Sequence, residues 1–439
     1  MKILVIGSGG REHAILSTLK STARIELELY CAPGNAGISQ LAECVSISAT
    51  DVAKLAEFAA SERVDLTFVG PEAPLAAGIV DAFESQQLTI VGPSQAAARL
   101  EASKGFAKDF MERHGIPTAA YAIAHTADEA LEILASGKFG GPENPVVIKA
   151  DGLAAGKGVI VAGSRAAAAA AVRDLTAGGL VDSQAASRIV IEEALRGREA
   201  SLLLFADGES YALMPAARDH KRIGEGDTGP NTGGMGAITD DSILSESLLS
   251  RVTREIVEPT LAGAREEGFP FRGILFIGLM LTEQGPKVLE YNVRFGDPET
   301  QAILVRLKTD LSAIFKAMAA GALADIEVEW SPESSACVVL ASAGYPGKYE
   351  SGSLITGLDE KLAGAEVFHA GTARSEAGEW LTAGGRVLGV TARGRTLEEA
   401  LDRAYQRIGM INWPGMQFRR DIGKFASAER FGREYVREL

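Results

Sequence analysis

Pro145-Val-Val-Ile-Lys-Ala-Asp-Gly-Leu-Ala-Ala-Gly-Lys-Gly-Val-Ile-Val-Ala162 joins two short apolar runs through a glycine-rich turn. Both runs are rich in β-branched residues, which predicts two strands of a hairpin with a flexible tip. Lys149 ends the first strand, and Lys157 stands among the glycines. A cation on a strand and another on a loop of backbone N–H groups can converge on a polyphosphate. The stretch therefore predicts a nucleotide triphosphate site, although solvated lysines on an ordinary hairpin would have the same pattern.

The composition is typical of a globular enzyme and argues against a nucleic-acid partner. The chain has 439 residues, enough for about three domains, and 46% of them are hydrophobic. Its 44 Lys and Arg residues against 58 Asp and Glu residues give a net charge of -14. A broad positive surface is therefore not expected, and anionic ligands must be held by local basic clusters.

Cysteine usage and apolar runs indicate the compartment. Cys31, Cys44 and Cys337 lack metal-ligand spacing and lie near apolar runs, which is typical of buried thiols in a reducing environment. The apolar run at residues 2–6 is too short for a signal sequence, and no run approaches the ~18 residues needed to span a bilayer. We therefore expect a soluble cytoplasmic protein with no membrane partner.

Residues 1–102 have the pattern of a doubly wound parallel sheet. Apolar runs at 2–6, 26–32, 66–69 and 88–91 alternate with helical patterns. The carboxyl ends of such strands meet at one edge, where these sheets bind ligands. This edge should collect Gly9, Gly10, Asn35 and Glu72 as candidate substrate contacts. Asn35 and Glu72 could equally be turn and helix-cap residues.

The first glycine loop of this region, Gly7-Ser-Gly-Gly10, is a candidate anion site. It leads into a helical pattern, and Arg11 adds a positive charge beside the backbone N–H groups. A dinucleotide is not expected, because Glu12 replaces the third glycine of that fingerprint and no acid follows the strand at 26–32.

The central region contains further candidate groups. A predicted helix at 103–113 places Lys104 and Lys108 on one face, and a predicted strand at 188–193 ends in two acids. These acids could bind a ribose or could simply be solvated. The glycine-rich segment 215–236, which carries Asp219 and Lys221, is longer than most loops and is predicted to be a substrate lid.

Two runs at 274–282 and 287–291 predict paired strands that turn at Gln284-Gly285. Alternate residues of a strand share a face, so Glu290, Asn292 and Arg294 should project together. A carboxylate and an amide oxygen suit Mg²⁺, and Arg294 could hold a phosphoryl group or a carboxylate. The alternative is the exposed polar face of an edge strand. Beyond residue 325, strands at 336–341, 366–370 and 386–392 and a helix at 397–408 predict a smaller β-rich domain.

Several motifs together resemble one family, glycinamide ribonucleotide synthetase of the ATP-grasp superfamily, over essentially the whole chain. They are Gly7-Ser-Gly-Gly-Arg-Glu-His13, Ala32-Pro-Gly-Asn-Ala-Gly37, Val69-Gly-Pro-Glu-Ala-Pro-Leu75, Val147-Ile-Lys-Ala-Asp-Gly-Leu-Ala-Ala-Gly-Lys-Gly158, Asp219-His-Lys-Arg222, Asp227-Thr-Gly-Pro-Asn-Thr-Gly-Gly-Met-Gly236 and Asn292-Val-Arg-Phe-Gly-Asp-Pro-Glu-Thr300. The resemblance implies ATP-dependent ligation of glycine to 5-phosphoribosylamine through a glycyl phosphate, the second step of de novo purine synthesis.

The resemblance also implies an α/β fold with three parts. These are an N-terminal doubly wound domain at 1–102, an ATP-grasp domain of two subdomains at 103–325 with a small lid at about 118–194, and a C-terminal β-rich α+β domain at 326–439. The implied partners are the small molecules ATP, glycine and phosphoribosylamine, and a monomer is favoured.

Site residues are implied by matching positions within these motifs. ATP contacts are expected at Lys108, Lys149, Lys157, Glu192, Glu193 and Glu199. The expected ligands for Mg²⁺ or Mn²⁺ are Glu290 and Asn292, and the expected catalytic groups are Arg294 and Asp219. Substrate contacts are expected at Gly9, Gly10, Asn35, Glu72, Asp219, Lys221 and Arg294.

One departure from the wider superfamily leaves the number of metal ions open. Many ATP-grasp enzymes have another acidic ligand on the preceding strand, whereas residues 276–281 contain no carboxylate. Two other functions stay open: a different ATP-grasp ligase or carboxylase, and a nucleotide-binding regulator without activity. A regulator would not need Glu290, Asn292 and Arg294, and other ligases would not need Asp219-His-Lys-Arg222.

Overall fold

The computed structural model describes residues 1–153, 158–177 and 188–424. Three sheets of five, four and nine strands follow one another along the described chain, and two short hairpins accompany them. Within the described residues, no helix has the length and apolar character needed to cross a membrane.

The first sheet confirms the predicted doubly wound architecture. Its five strands are parallel and lie in the order β3-β2-β1-β4-β5. The strands are β1 (Lys2–Gly7), β2 (Glu28–Pro33), β3 (Glu43–Cys44), β4 (Leu66–Val69) and β5 (Ile90–Val91). The helices are α1 (Gly10–Thr22), α2 (Val52–Ser61), α3 (Glu72–Ala76), α4 (Ile79–Ser85) and α5 (Gln95–Ala102). Because β1 has β2 on one side and β4 on the other, the winding reverses there and opens a crevice at the strand ends.

A small antiparallel sheet follows helix α6 (Lys104–Arg113), whose first turn is capped by Ser103. Its four strands lie in the order β6-β9-β7-β8. They are β6 (Tyr121–Ala124), β7 (Val146–Ala150), β8 (Val159–Ala162) and β9 (Ile189–Glu193), and helices α7 (Ala127–Ala135) and α8 (Arg165–Thr176) pack against them. Strands β7 and β8 pair antiparallel, so the predicted hairpin is present.

The third sheet has nine strands and spans the central and C-terminal regions. Its order is β17-β16-β10-β12-β15-β18-β22-β19, and β11 pairs with β10. Its strands are β10 (Arg198–Asp207), β11 (Tyr211–Leu213), β12 (Ala217–Asp219), β15 (Gly236–Thr239), β16 (Arg272–Thr282), β17 (Gly285–Asn292), β18 (Ser334–Ala341), β19 (Ala365–His369) and β22 (Arg386–Gly394). Two hairpins lie outside this sheet. One consists of β13 (Arg222–Gly224) and β14 (Thr228–Asn231), and the other of β20 (Thr372–Arg374) and β21 (Trp380–Thr382). The helices are α9 (Glu246–Val252), α10 (Glu258–Glu266), α11 (Glu299–Leu304), α12 (Leu311–Ala320) and α13 (Leu397–Ile408), and a π-helical turn, Thr253–Val257, joins α9 to α10.

This sheet joins two regions that the sequence treats as separate domains. Strand β15 pairs antiparallel with β18, so that Ala237 lies opposite Cys337. The C-terminal region is β-rich as predicted, but its strands β18, β22 and β19 extend the central sheet. The predicted boundary at residue 326 therefore lies on the connection between β15 and β18, two strands that are hydrogen-bonded to each other. The domain limits at 102 and 325 stay predictions.

Candidate active site

A cavity of about 480 Å³ opens where the crevice of the first sheet meets the small sheet and strand β17. It gathers most of the predicted site residues: Glu72, Lys108, Lys149, Glu192, Asp219, Lys221, Glu290, Asn292 and Arg294. In the described part of the chain, five predicted residues stand outside its lining: Gly9, Gly10, Asn35, Glu193 and Glu199. Lys157 lies outside the described residues.

Two lysines of the cavity share one carboxylate. The Nζ atoms of Lys108 and Lys149 lie 2.9 and 2.7 Å from the two oxygens of Glu192, and all three side chains are buried. Lys149 also donates to the Leu289 carbonyl at 3.1 Å. Burial lowers the pKa of Lys108 to about 8 against the attraction of Glu192. Glu192 therefore positions both lysines, a role that the sequence did not predict.

The other two predicted acids, Glu193 and Glu199, make their contacts beside the cavity and not in its lining. Glu193 Oε1 accepts from the Ala120 backbone N–H at 3.0 Å and from Lys287 Nζ at 3.2 Å, which ties the small sheet to β17. Glu199 Oε2 lies 3.4 Å from Lys221 Nζ, and both of these side chains are half-exposed.

Arg294 is held by two carboxylates. Its Nε lies 3.2 Å from Glu72 Oε2, and its Nη2 lies 2.9 Å from Glu101 Oε1. The same Nη2 donates to Asn292 Oδ1 at 3.1 Å. Glu101 is anchored in turn, because its Oε2 accepts from the Val293 backbone N–H at 2.8 Å. Burial raises the pKa of Glu101, although Arg294 opposes that shift. The sequence missed Glu101, which lies in a helix without a motif.

Glu290 and Asn292 fit a divalent cation. Burial alone would raise the pKa of Glu290, but Lys221, Lys149 and Lys104 outweigh it, so the carboxylate stays ionised. Asn292 Oδ1 accepts one hydrogen bond and keeps a second lone pair. Glu290 lies opposite Gly278 of β16, the position where an acidic residue would add a third ligand. Two hard oxygen ligands suit Mg²⁺, which completes its shell with phosphate and water.

A second acidic pair faces the same cavity. Burial raises the pKa of Asp219, against the attraction of Lys221. Glu299 begins α11 and is buried, and burial together with Asp219 raises its pKa to about 8. Glu299 belongs to the family motif at residues 292–300, but no role was predicted for it from the sequence.

The N-terminal glycine loop is closed by its own acid. Glu12 Oε2 accepts from the Gly9 backbone N–H at 2.6 Å, and Glu12 Oε1 lies 2.5 Å from Arg11 Nε. A Cβ atom at Gly7 or at Gly70 would lie within 3 Å of the Glu12 carboxylate. The carboxylate thus fills the anion position at the start of α1, which is the physical reason that a dinucleotide pyrophosphate does not fit there.

Asn35 has a local role in this loop region. Its Oδ1 accepts from the backbone N–H groups of Gly37 and Ile38 at 2.8 and 2.9 Å. Its Nδ2 donates to the carbonyls of Ser8 and His369 at 2.8 and 3.0 Å. These contacts are those of a turn residue, the alternative that the sequence left open.

The described part of the C-terminal region contributes a cation, Arg386, to the cavity. Arg386 on β22 lies 3.0 Å from Asp297 Oδ2 through its Nη2 and donates to the Gly233 carbonyl at 2.7 Å through its Nη1. The sequence missed Arg386, because no motif surrounds it and its partners are distant along the chain.

Family models and individual relatives of this chain all point to the same protein family. Three phosphoribosylglycinamide synthetase models match the chain: the N domain at residues 1–101, the ATP-grasp (A) domain at 102–300 and the C domain at 335–425. The phosphoribosylamine–glycine ligase of Vibrio cholerae is 48% identical over 432 residues, covering 98% of this chain and 99% of that protein. The ligase of the same name from Caldanaerobacter subterraneus is 46% identical, covering 96% of this chain and 99% of the relative.

Solved structures agree with these relatives. The crystal structure of phosphoribosylamine–glycine ligase from Thermotoga maritima superposes with a TM-score of 0.83 at 35% identity and covers 96% of this chain and 100% of that one. The biotin carboxylase domain of a Hydrogenobacter thermophilus 2-oxoglutarate carboxylase has a TM-score of 0.72 at 16% identity, covering 100% of this chain and 98% of that one, which shows a shared fold. The predicted ATP-grasp architecture is thus confirmed, and the chain belongs to the phosphoribosylglycinamide synthetase family.

Proposed function

We propose that this chain ligates glycine to 5-phosphoribosylamine with ATP, giving glycinamide ribonucleotide, ADP and phosphate in the second step of purine synthesis. The observation that carries the proposal is one continuous cavity. It joins the buried lysines Lys108 and Lys149 to the Glu290, Asn292 and Arg294 cluster. A phosphate-binding region beside a metal and carboxylate region is what phosphoryl transfer to a carboxylate requires.

The nucleotide would occupy the side of the cavity between the small sheet and β17. Its phosphates would face Lys108, Lys149 and Lys157, and its base and ribose would lie near Glu192, Glu193 and Glu199. Met111, Val159 and Leu289 supply apolar lining there. Glu290 and Asn292 would hold Mg²⁺ or Mn²⁺, and a bound cation neutralises charge on the transferring phosphoryl group.

The chemistry would proceed in two substitutions. A glycine carboxylate oxygen attacks the γ-phosphorus of ATP, and the bond to ADP breaks. The amine of phosphoribosylamine then attacks the carbonyl carbon of glycyl phosphate, and phosphate leaves with the bonding electrons and takes up the proton that the amine nitrogen loses. Arg294 and Asp219 would face the reacting groups, because both line the cavity beside Glu290. Enclosure protects the anhydride from hydrolysis.

The remaining assignments belong to the same proposal. Phosphoribosylamine would be bound near Gly9, Gly10, Asn35 and Glu72, with Lys221 at the opposite side. We assign domains at 1–102, 103–325 and 326–439, with the lid at about 118–194. We further propose a cytoplasmic enzyme that acts as a monomer.

An oxygen-labelling experiment tests the function and its chemistry together. Glycine labelled with ¹⁸O in its carboxylate should transfer one labelled oxygen to the released phosphate while the amide product forms. Activation of the ribose instead would leave the phosphate unlabelled and would overturn the glycyl phosphate route. Absence of glycine-dependent ADP release would overturn the ligase assignment itself.

A further inference from the structure

The proposed reaction leaves the α-ammonium group of glycine without a partner, and the cavity holds a carboxylate that could supply one. Glu299 is 4% exposed, yet its side chain lines the cavity. Within residues 1–153, 158–177 and 188–424, no other side chain donates a hydrogen bond to its carboxylate. Its own backbone N–H is the donor that stabilises the charged form. A buried carboxylate with no side-chain donor is costly, which points to a ligand that provides one.

The backbone allows this carboxylate to lie at the cavity wall. A Cβ atom at Gly296 would stand 2.5 Å from Glu299 Oε2 and 3.0 Å from Phe276 Cε2. Only glycine at position 296 therefore leaves room for the carboxylate beside the aromatic ring. Gly296 and Phe276 both line the cavity with Glu299.

The nearby charges leave this corner short of a cation. Asp219 faces Glu299, and their repulsion adds to burial in raising the pKa of Glu299. Arg294 is held by Glu72 and Glu101. Lys221 is attracted by Asp219 but is shared with Glu199 and Glu290, so one ammonium group serves three acids. An ammonium group entering between the two acids would supply the missing positive charge and hydrogen-bond donors.

We propose that Glu299, together with Asp219, binds the α-ammonium group of glycine while Arg294 faces its carboxylate. This assignment rests on the proposed function and makes Glu299 a specificity residue. It selects an amino acid over a plain carboxylic acid of similar size, because a site built for an ammonium group leaves its acids unpaired when that group is missing.

Steady-state kinetics of the full-length enzyme test the assignment with glycine as substrate and acetate as the competing probe that lacks the ammonium group. Glu299→Gln should raise KM for glycine by about tenfold to a hundredfold, the loss of one charge-assisted contact. KM for ATP should stay within about twofold. The preference for glycine over acetate, measured as the ratio of their kcat/KM values, should fall by the same factor. A purely structural role of Glu299 would not change this ratio.

Two further variants keep the comparison decisive. Gly296→Ala retains the charge but displaces the carboxylate, so it should produce the same loss of preference. Glu366→Gln replaces an exposed carboxylate outside the cavity and should leave the preference unchanged. If Glu299→Gln does not fold, Asp219→Asn provides the corresponding measurement.

The outcomes separate the two proposals. A parent enzyme that turns over glycine, with unchanged glycine preference in Glu299→Gln and Gly296→Ala, would overturn the ammonium site and leave the ligase function intact. A parent enzyme that releases no ADP with glycine would overturn the proposed function instead.

Discussion

Glu192 controls the charge balance of the nucleotide side of the cavity, because it is the shared partner of Lys108 and Lys149. Without it, two ammonium groups would remain close together in a buried site. We expect Glu192→Gln to lower the free energy of unfolding by about 3 to 5 kcal/mol, the typical cost of breaking a buried ion pair. Urea denaturation followed by circular dichroism measures this loss.

The neighbouring residue provides a matched control for that prediction. Glu193 is half-exposed and pairs with Lys287 at 3.2 Å, so Glu193→Gln should cost less than about 1 kcal/mol. Equal losses in the two variants would show that Glu192 is not the residue that holds the lysines.

Glu290 gives the second prediction at the scale of single residues. Since Glu290 and Asn292 are the proposed ligands, Glu290→Gln should raise the Mg²⁺ concentration for half-maximal rate by about tenfold to a hundredfold. A metal titration of ADP release measures the shift. Glu283→Gln, in the exposed turn between β16 and β17, should leave the titration unchanged. A superimposable curve for Glu290→Gln would move the metal site elsewhere.

At the scale of elements, the segment at 215–236 differs from the predicted lid loop. It contains the hairpin of β13 and β14, and Arg419 fastens this hairpin to the C-terminal region. Arg419 is fully buried, with its Nη1 2.7 Å from Asp227 Oδ1 and its Nε 2.8 Å from Asp421 Oδ1. Asp421 Oδ2 also accepts from the Gly226 backbone N–H at 2.8 Å.

The ion pair between Arg419 and Asp227 should restrain the opening of the hairpin of β13 and β14. Asp227→Asn removes one charged contact of a partly exposed side chain, worth about 1 kcal/mol, and should speed amide exchange at 222–231 by about fivefold. Hydrogen–deuterium exchange measures the change, and ATP with Mg²⁺ should reduce it in the parent. Glu225→Gln, an exposed change in the same hairpin, keeps an acceptor for the Arg420 backbone N–H and should leave the exchange nearly unchanged. Unchanged exchange in Asp227→Asn would mean that the salt bridge does not restrain the hairpin.

The elements show which features were predictable from sequence. Local periodicity and turn residues are sufficient for the hairpin of β7 and β8 and for the pair of β16 and β17, because both partners lie close along the chain. The same spacing brought Glu290, Asn292 and Arg294 together correctly. Contacts of Glu101 with Val293, of Arg386 with Asp297 and of Arg419 with Asp227 join residues that are far apart in sequence, and no local pattern encodes them.

At the scale of the whole molecule, two buried histidines join the first and last regions of the chain. His13 of α1 accepts at its Nδ1 from the backbone N–H of His369 at 2.7 Å. His369 Nδ1 lies 3.0 Å from Thr372 Oγ1. Burial lowers the pKa of His13 to about 4 and that of His369 to about 3, so both rings are neutral in the folded protein near pH 7.

The histidine pair makes the joined molecule sensitive to acid. In the unfolded chain these rings take up protons near pH 6.5, whereas in the folded protein they do so only near pH 4 and 3. The unfolded state therefore binds more protons between these values, and stability falls as pH falls. Between pH 7 and pH 5, each histidine should cost about 2 kcal/mol of the free energy of unfolding.

Urea denaturation at pH 7 and pH 5 tests this linkage through the difference between variants. His13→Gln keeps an acceptor for the His369 backbone N–H but cannot take up a proton. It should lose about 2 kcal/mol less stability than the parent between the two pH values. His125→Gln, an exposed change directly after strand β6, should follow the parent. If the parent and His13→Gln lose the same stability on acidification, His13 is already protonated in the folded state and its contact with His369 is not the neutral hydrogen bond described.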